Sequence, residues 1–202
     1  MIFIKHRCNS KVSLTQVEPN WGVEIDLRSD AQNKGSLFLS HDPYQPGESF
    51  IDWLGDFKKR GIKGPLILNT KEDGLEFVVI QALVKFEIQN FIFLDPTIPT
   101  LVKWTIDQDK NHFMVRVSKY ESAENALKFK NKVQWAWVDC FQGTPLPDSE
   151  LEKIKGSFKI CLVSPELHGR PIDVIQQFKS LTKFADAICT KEPAKWKQLL
   201  NL

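Results

Sequence analysis

Three short segments near the start of this chain end in acids, imidazoles and cations: His6-Arg7, Glu24-Ile25-Asp26-Leu27-Arg28 and His41-Asp42-Pro43. Residues two apart on a strand share a face, so Glu24, Asp26 and Arg28 project together, and the two carboxylates offer oxygen ligands to one hard cation. Histidines beside such a site supply proton transfer, and guanidinium groups hold an anion. Metal-assisted phosphodiester chemistry requires that combination on one face.

A frame is needed to bring these segments together, and the apolar pattern supplies one. Strand-like runs cover 2 to 7, 22 to 27, 36 to 41, 65 to 70, 90 to 95, 113 to 118, 134 to 140, 158 to 164 and 185 to 189. Most are continuously apolar, as expected of parallel strands covered on both faces. Helical spacing follows at 47 to 60, 73 to 88, 98 to 109, 121 to 131, 148 to 154, 171 to 183 and 192 to 200. Strand then helix, repeated about eight times, closes most economically as a compact (β/α)8 TIM barrel. Two segments depart from that rhythm. Residues 8 to 21 show little helical periodicity, so the first crossover helix is irregular or missing. Asn33-Lys34-Gly35 is a turn signature, which makes 36 to 41 an extra β-hairpin strand after the second stave.

Composition narrows the function classes. At 202 residues and 42% hydrophobic, the chain suits one domain, 1–202, with a substantial core. Its 27 basic and 25 acidic residues are interspersed, so there is no electrostatic case for nucleic acid. Cys8, Cys140, Cys161 and Cys189 are widely spaced in apolar runs, which favours buried, reduced thiols over disulfides or zinc. No segment offers the roughly 18 apolar residues of a membrane span, so stable membrane insertion is not expected and a cytoplasmic protein is.

His6-Arg7, the Glu24-x-Asp26 pair and His41-Asp42-Pro43 resemble, in order and spacing, the signature of the glycerophosphodiester phosphodiesterase family, among the phospholipase C-like barrel phosphodiesterases. Cys189-Thr190-Lys191-Glu192-Pro193 resembles that family's last strand and its Thr-x-x-Pro turn, and His6-Arg7-x-Asn9 is similar to the opening of the sphingomyelinase D branch. The resemblance implies that His6 and His41 are the acid/base pair, that Glu24 and Asp26 hold a divalent cation (Mg2+ or Ca2+), and that Arg7 contacts the phosphate of a small phosphodiester. The family's third strand usually ends in an acid, one residue, then lysine. This chain has Asn69-Thr70-Lys71, which keeps a phosphate-binding cation in Lys71 but puts a neutral amide at the third metal position.

Other strand ends offer replacements. Asp95, Asp139 and Glu166 each follow an apolar run, and Glu166 is the favoured extra ligand because Ser164, Glu166, His168 and Arg170 crowd seven residues. Arg116 lies in an apolar strand, which calls for a partner, either the phosphate or an acid such as Asp95. Asp139, His168 and Arg170 complete the candidate substrate contacts. Trp137 is a candidate stacking residue, although tryptophans two apart, as with Trp135, are more often core. The leading expectation is a metal-dependent phosphodiester hydrolase. The alternative is a degenerate barrel that binds a phosphorylated or anionic ligand without turnover, accessory to surface polysaccharide or lipid metabolism.

Overall fold

The computed structural model describes residues 1–30, 33, 35–106 and 112–202. Lys34 of the expected turn and residues 107 to 109 of the expected helix lie outside them. In chain order the elements are β1 (Ile2–Lys5), α1 (Lys11–Leu14), β2 (Gly22–Ser29), β3 (Leu37–Leu39), β4 (Glu48–Ser49), α2 (Phe50–Arg60), β5 (Leu66–Thr70) and α3 (Glu76–Lys85). They continue through β6 (Phe91–Leu94), α4 (Ile98–Ile106), β7 (Met114–Val117), α5 (Ala123–Leu127), β8 (Trp135–Val138) and α6 (Asp148–Ile154). The last are β9 (Lys159–Val163), α7 (Ile175–Phe178), β10 (Ala187–Thr190) and α8 (Pro193–Leu200).

The strands form a mixed sheet that curls, with helices on its outer side. Parallel pairs run β2–β1–β10–β9–β8–β7 in one direction and β2–β5–β6 in the other. Among the described residues, β6 meets the β7 edge through one parallel bridge, Phe93 with Phe113, where the Phe93 amide donates to the His112 carbonyl at 2.7 Å. β3 pairs antiparallel with the far end of β2, and β4 with β3, so the chain turns back to the same sheet edge before α2 begins.

Alternation along the strands divides the interior in two. Val23, Ile25 and Leu27 of β2 join the layer packed under the helices, whereas Glu24 and Asp26 turn to the concave side. That side has its own apolar cluster, built from Ile4, Ile67, Ile92, Leu94, Met114 and Trp137 together with Cys161, Val163 and Cys189. The acids therefore sit on an apolar floor. All four cysteines are free and buried.

α2 shows how the sequence sets an element and how the element serves the site. Ser49 caps it by accepting from the Asp52 amide, Gly61 ends it at φ 62°, and Phe50, Trp53, Leu54 and Phe57 bury one face. Trp53 stacks on Phe57 at 5.3 Å and donates its indole N–H to the Cys8 carbonyl at 3.0 Å, fixing the segment that follows His6. The first crossover holds the four-residue α1, closed by a Ser10–Ser13 capping box. Among the described residues no helix is long and apolar enough to cross a membrane.

Candidate active site

His6, Arg7, Glu24, Asp26, Asn69 and Lys71 meet at the C-terminal ends of β1, β2 and β5. Asp26 is in register with Asn69, and Glu24 stands one inward position below. Glu24 is 0% and Asp26 1% exposed. The Arg7 backbone takes a left-handed φ of 50°, which aims its N–H at Glu24 Oε2 (2.7 Å). Such a conformation persists in a non-glycine residue where the surroundings over-determine it. Here the contact with Glu24 and the 3.9 Å approach of Arg7 Nε to Asp26 Oδ2 provide that restraint. Lys71 Nζ lies 2.8 Å from Asp26 Oδ1.

Charge is held here against burial. Burial, reinforced by the neighbouring Asp26 carboxylate, pushes Glu24 up to about 8, while the Arg7 amide, Lys71 and the Asn69 side chain pull the other way. Burial also holds His6 down to about 3, helped by the positive charges of Arg7, Lys191 and Lys71. His6 is therefore a neutral imidazole at pH 7, with Nε2 3.7 Å from Glu24 Oε2. Four buried atoms of this group have no hydrogen-bond partner among the described residues: His6 Nδ1, Glu24 Oε1, Asp26 Oδ1, which meets Lys71 only as an ion pair, and Asn69 Oδ1. Unmet polar atoms in a buried cluster carry a desolvation penalty that a ligand would relieve. Three of the four are hard oxygen donors of the kind that suit a divalent cation. The described residues contain no group of three His, Cys, Asp or Glu side chains able to hold a metal, so a cation bound here would need the Asn69 amide oxygen as a further donor.

The hairpin segment that carries His41 is tied to β2 by hydrogen bonds. The Ser40 amide donates to the Asp26 carbonyl at 3.2 Å, Ser40 Oγ to the Asp42 carbonyl at 2.9 Å, and Arg28 to the His41 carbonyl at 2.9 Å. The His41 side chain is 37% exposed, with Nδ1 2.8 Å from Asp42 Oδ1. The exchange with His41 also holds the Asp42 carboxyl below its usual range.

One contributor was assigned no role from sequence. Asn9 grips Asp26 twice, donating through Nδ2 to Oδ2 (2.7 Å) and accepting the Asp26 amide on Oδ1 (2.9 Å). Its only signal was its place in His6-Arg7-x-Asn9.

The remaining candidates gather elsewhere. Arg116 hydrogen-bonds both Asp95 and Asp139 and lies 3.9 Å from Glu121. Burial works against the Arg116 charge, but Asp95 and Asp139 outweigh it and hold the guanidinium above its ordinary pKa. His168 Nε2 lies 2.6 Å from Asp139 Oδ1, and Phe141 packs against both His168 and Arg116. Glu166 is committed at both oxygens: it accepts from Ser164, from Thr190 Oγ1 at 2.5 Å and from the Lys191 amide at 3.1 Å. That ties β9 to β10. Trp137 is buried in the inner apolar cluster, and Arg170 lies exposed on the loop beside Gly143.

Compared by sequence, the chain matches no family profile and no curated protein. Compared by structure, it has the fold of glycerophosphodiester phosphodiesterases. The Agrobacterium tumefaciens glycerophosphodiester phosphodiesterase superposes with a TM-score of 0.73 at 12% identity, covering 100% of both chains. A phosphodiesterase from Oleispira antarctica, solved with the product sn-glycerol-3-phosphate, gives 0.70 at 17% identity, covering 100% of this chain and 97% of that one. The Thermotoga maritima glycerophosphodiester phosphodiesterase gives 0.68 at 16% identity, covering 98% of each.

Proposed function

We propose that this chain is a member of the glycerophosphodiester phosphodiesterase family: one (β/α)8 domain, closed at the Phe93–Phe113 bridge, that hydrolyses a small glycerophosphodiester with the help of a divalent cation. The observation that carries this is the set of unsatisfied buried atoms beside two cations, in a fold shared with enzymes of that activity. Glu24, Asp26 and Asn69 would hold the ion. When bound, it neutralises charge on a nonbridging phosphate oxygen.

The chain's own residues perform the rest. Arg7 and Lys71 bind the phosphate and absorb charge that develops as the nucleophile attacks. His6 takes the nucleophile's proton. Asp42 fixes the tautomer of His41, which gives its proton to the departing alkoxide. Asn9 and the Arg7 amide act through Asp26 and Glu24 as positioning groups. The nucleophile is water or a hydroxyl of the substrate itself, the latter giving a cyclic phosphate.

A second reading, binding of a phosphorylated or anionic ligand without turnover, is favoured by Lys71, whose ammonium stands at Asp26 where a cation would otherwise compete. Product release from glycerophosphodiesters and bis(p-nitrophenyl) phosphate, with and without chelator, decides between them. Turnover abolished by chelator supports the hydrolase. Tight binding of sn-glycerol-3-phosphate with no turnover under any divalent ion supports the binder.

A further inference from the structure

Arg28 follows Glu24 and Asp26 on the same face of β2, one step nearer the rim, and its guanidinium reaches two loops. Nη2 donates to the His41 carbonyl at 2.9 Å, and Nη1 lies 3.9 Å from Glu72 Oε1. Glu72 is itself held, accepting from the Ser29 amide at 3.2 Å and from the Ser29 hydroxyl. It directly follows Lys71, whose ammonium meets Asp26. One guanidinium therefore stands between the loop that carries Lys71 and the loop that carries His41. The Arg28 side chain is only 17% exposed, and its Nε is buried without a hydrogen-bond partner among the described residues. A buried donor left unmet is costly, so this is no ordinary surface arginine. The planar fork, with donors on separate nitrogens, lets one side chain hold both loops, which the point charge of a lysine cannot do equally well.

His41 needs such a restraint. Among the described residues its ring is hydrogen-bonded to Asp42, the next residue in the chain, so the place of the imidazole is set by the backbone around it. The Ser40 amide on the Asp26 carbonyl fixes one side of that backbone and Arg28 the other. The Asp42 carboxyl is held down first by His41 and also by the fields of Arg7 and Arg28, which sets this corner of the loop beside both guanidinium groups. A general acid acts only within about 2.6–3.2 Å of the departing oxygen. We infer that Arg28 is a positioning residue for His41, holding its loop against the Lys71 loop so that the imidazole stands at the departing oxygen while Lys71 stands at the phosphate. The inference rests on the hydrolase reading for the role of His41, and on the two loop contacts for that of Arg28.

The leaving group separates this role from a merely structural one. In sn-glycero-3-phosphocholine the P–O bond breaks with its electron pair on an alkoxide oxygen, and the His41 proton completes the alcohol; bis(p-nitrophenyl) phosphate releases a phenolate that departs without a proton. The ratio of kcat for the first diester to kcat for the second should therefore fall by about 10²-fold in Arg28→Met, the cost of a misplaced group, and should fall in His41→Ala as well. Arg28→Lys, which keeps the charge and can keep one loop contact, should fall between Arg28→Met and the native protein, and it carries the same test where Arg28→Met does not fold. Because Arg28 acts through His41, adding Arg28→Met to His41→Ala should leave the ratio where His41→Ala puts it. A ratio unchanged in Arg28→Met and Arg28→Lys, or a further fall in the double variant, overturns the role of Arg28 and leaves the hydrolase reading standing. Native protein that cleaves neither diester overturns the hydrolase reading, and the role of Arg28 with it.

Discussion

Two halves of the same rim handle charge in opposite ways. At the ends of β1, β2 and β5, Glu24, Asp26, Asn69 and His6 are buried with polar atoms left unmet, and two cations stand nearby. At the ends of β6, β7 and β8, Asp95, Arg116 and Asp139 are just as unusual in type but close on one another, with His168 completing the group. Residue type alone does not separate a site from a structural ion cluster; satisfaction does. A closed network stabilises the scaffold, whereas an open one is held at a cost that a ligand repays.

The contrast predicts different losses on mutation. The largest is His6→Ala, which should lower turnover by roughly 10²–10⁴-fold, the range for a lost acid/base group, with little change in urea midpoint. Arg116→Ala should do the reverse: leaving Asp95 and Asp139 unpaired costs about 3–5 kcal/mol of stability, read from urea denaturation. A large loss of stability in His6→Ala with none in Arg116→Ala would reverse the assignment of the halves.

Asn69→Asp sharpens the open half. A third carboxylate should tighten divalent binding by about tenfold or more and raise turnover, yet destabilise the metal-free protein by crowding Glu24 and Asp26. Calorimetric titration and melting with chelator read the two effects; a variant stabilised without metal contradicts the crowding.

The remaining effects are in pH. Glu24 is raised from 4.5 to about 8, so it must lose a proton to bind an ion, and cation affinity should rise about tenfold per unit between pH 6 and 8, then level. By the same shift, the stability Glu24 contributes to metal-free protein is complete below pH 4.5 and lost as pH rises through 8; Glu24→Gln should remove that slope. His6 runs the other way. Lowered from 6.5 to about 3, its contribution is present above pH 6.5 and lost as pH falls through 3.

Much of the frame was readable from sequence because strands covered on both faces leave continuous apolar runs, as in Phe91–Leu94 and Trp135–Val138. Segments whose periods differ from the usual ones were harder. Residues 171 to 183 scan as a helix, yet the structure breaks them into 3₁₀ turns around the short α7. Ile172, Ile175, Phe178 and Leu181 face inward at intervals of three, the repeat of a 3₁₀ rather than an α-helix. β4 is two residues long and leaves no pattern.

The candidate site was legible as types and spacings, since Glu24-x-Asp26 on a strand fixes a shared face. Which distant groups would close on one another was not. Arg116 and Asp139 are 23 positions apart, and Asp139 and His168 are 29 apart. Their mutual satisfaction depends on β7 and β8 standing side by side and on the loop after β9 folding back over them. The grip of Asn9 on Asp26 was hidden for the same reason.

The most direct test is calorimetric titration of Ca2+ into the native protein, Glu24→Gln and Asp95→Asn. One ion bound by the native protein, lost in Glu24→Gln and retained in Asp95→Asn, is the predicted result. No binding by the native protein, or binding lost only in Asp95→Asn, would contradict the assignment of the open half as the metal and phosphate site.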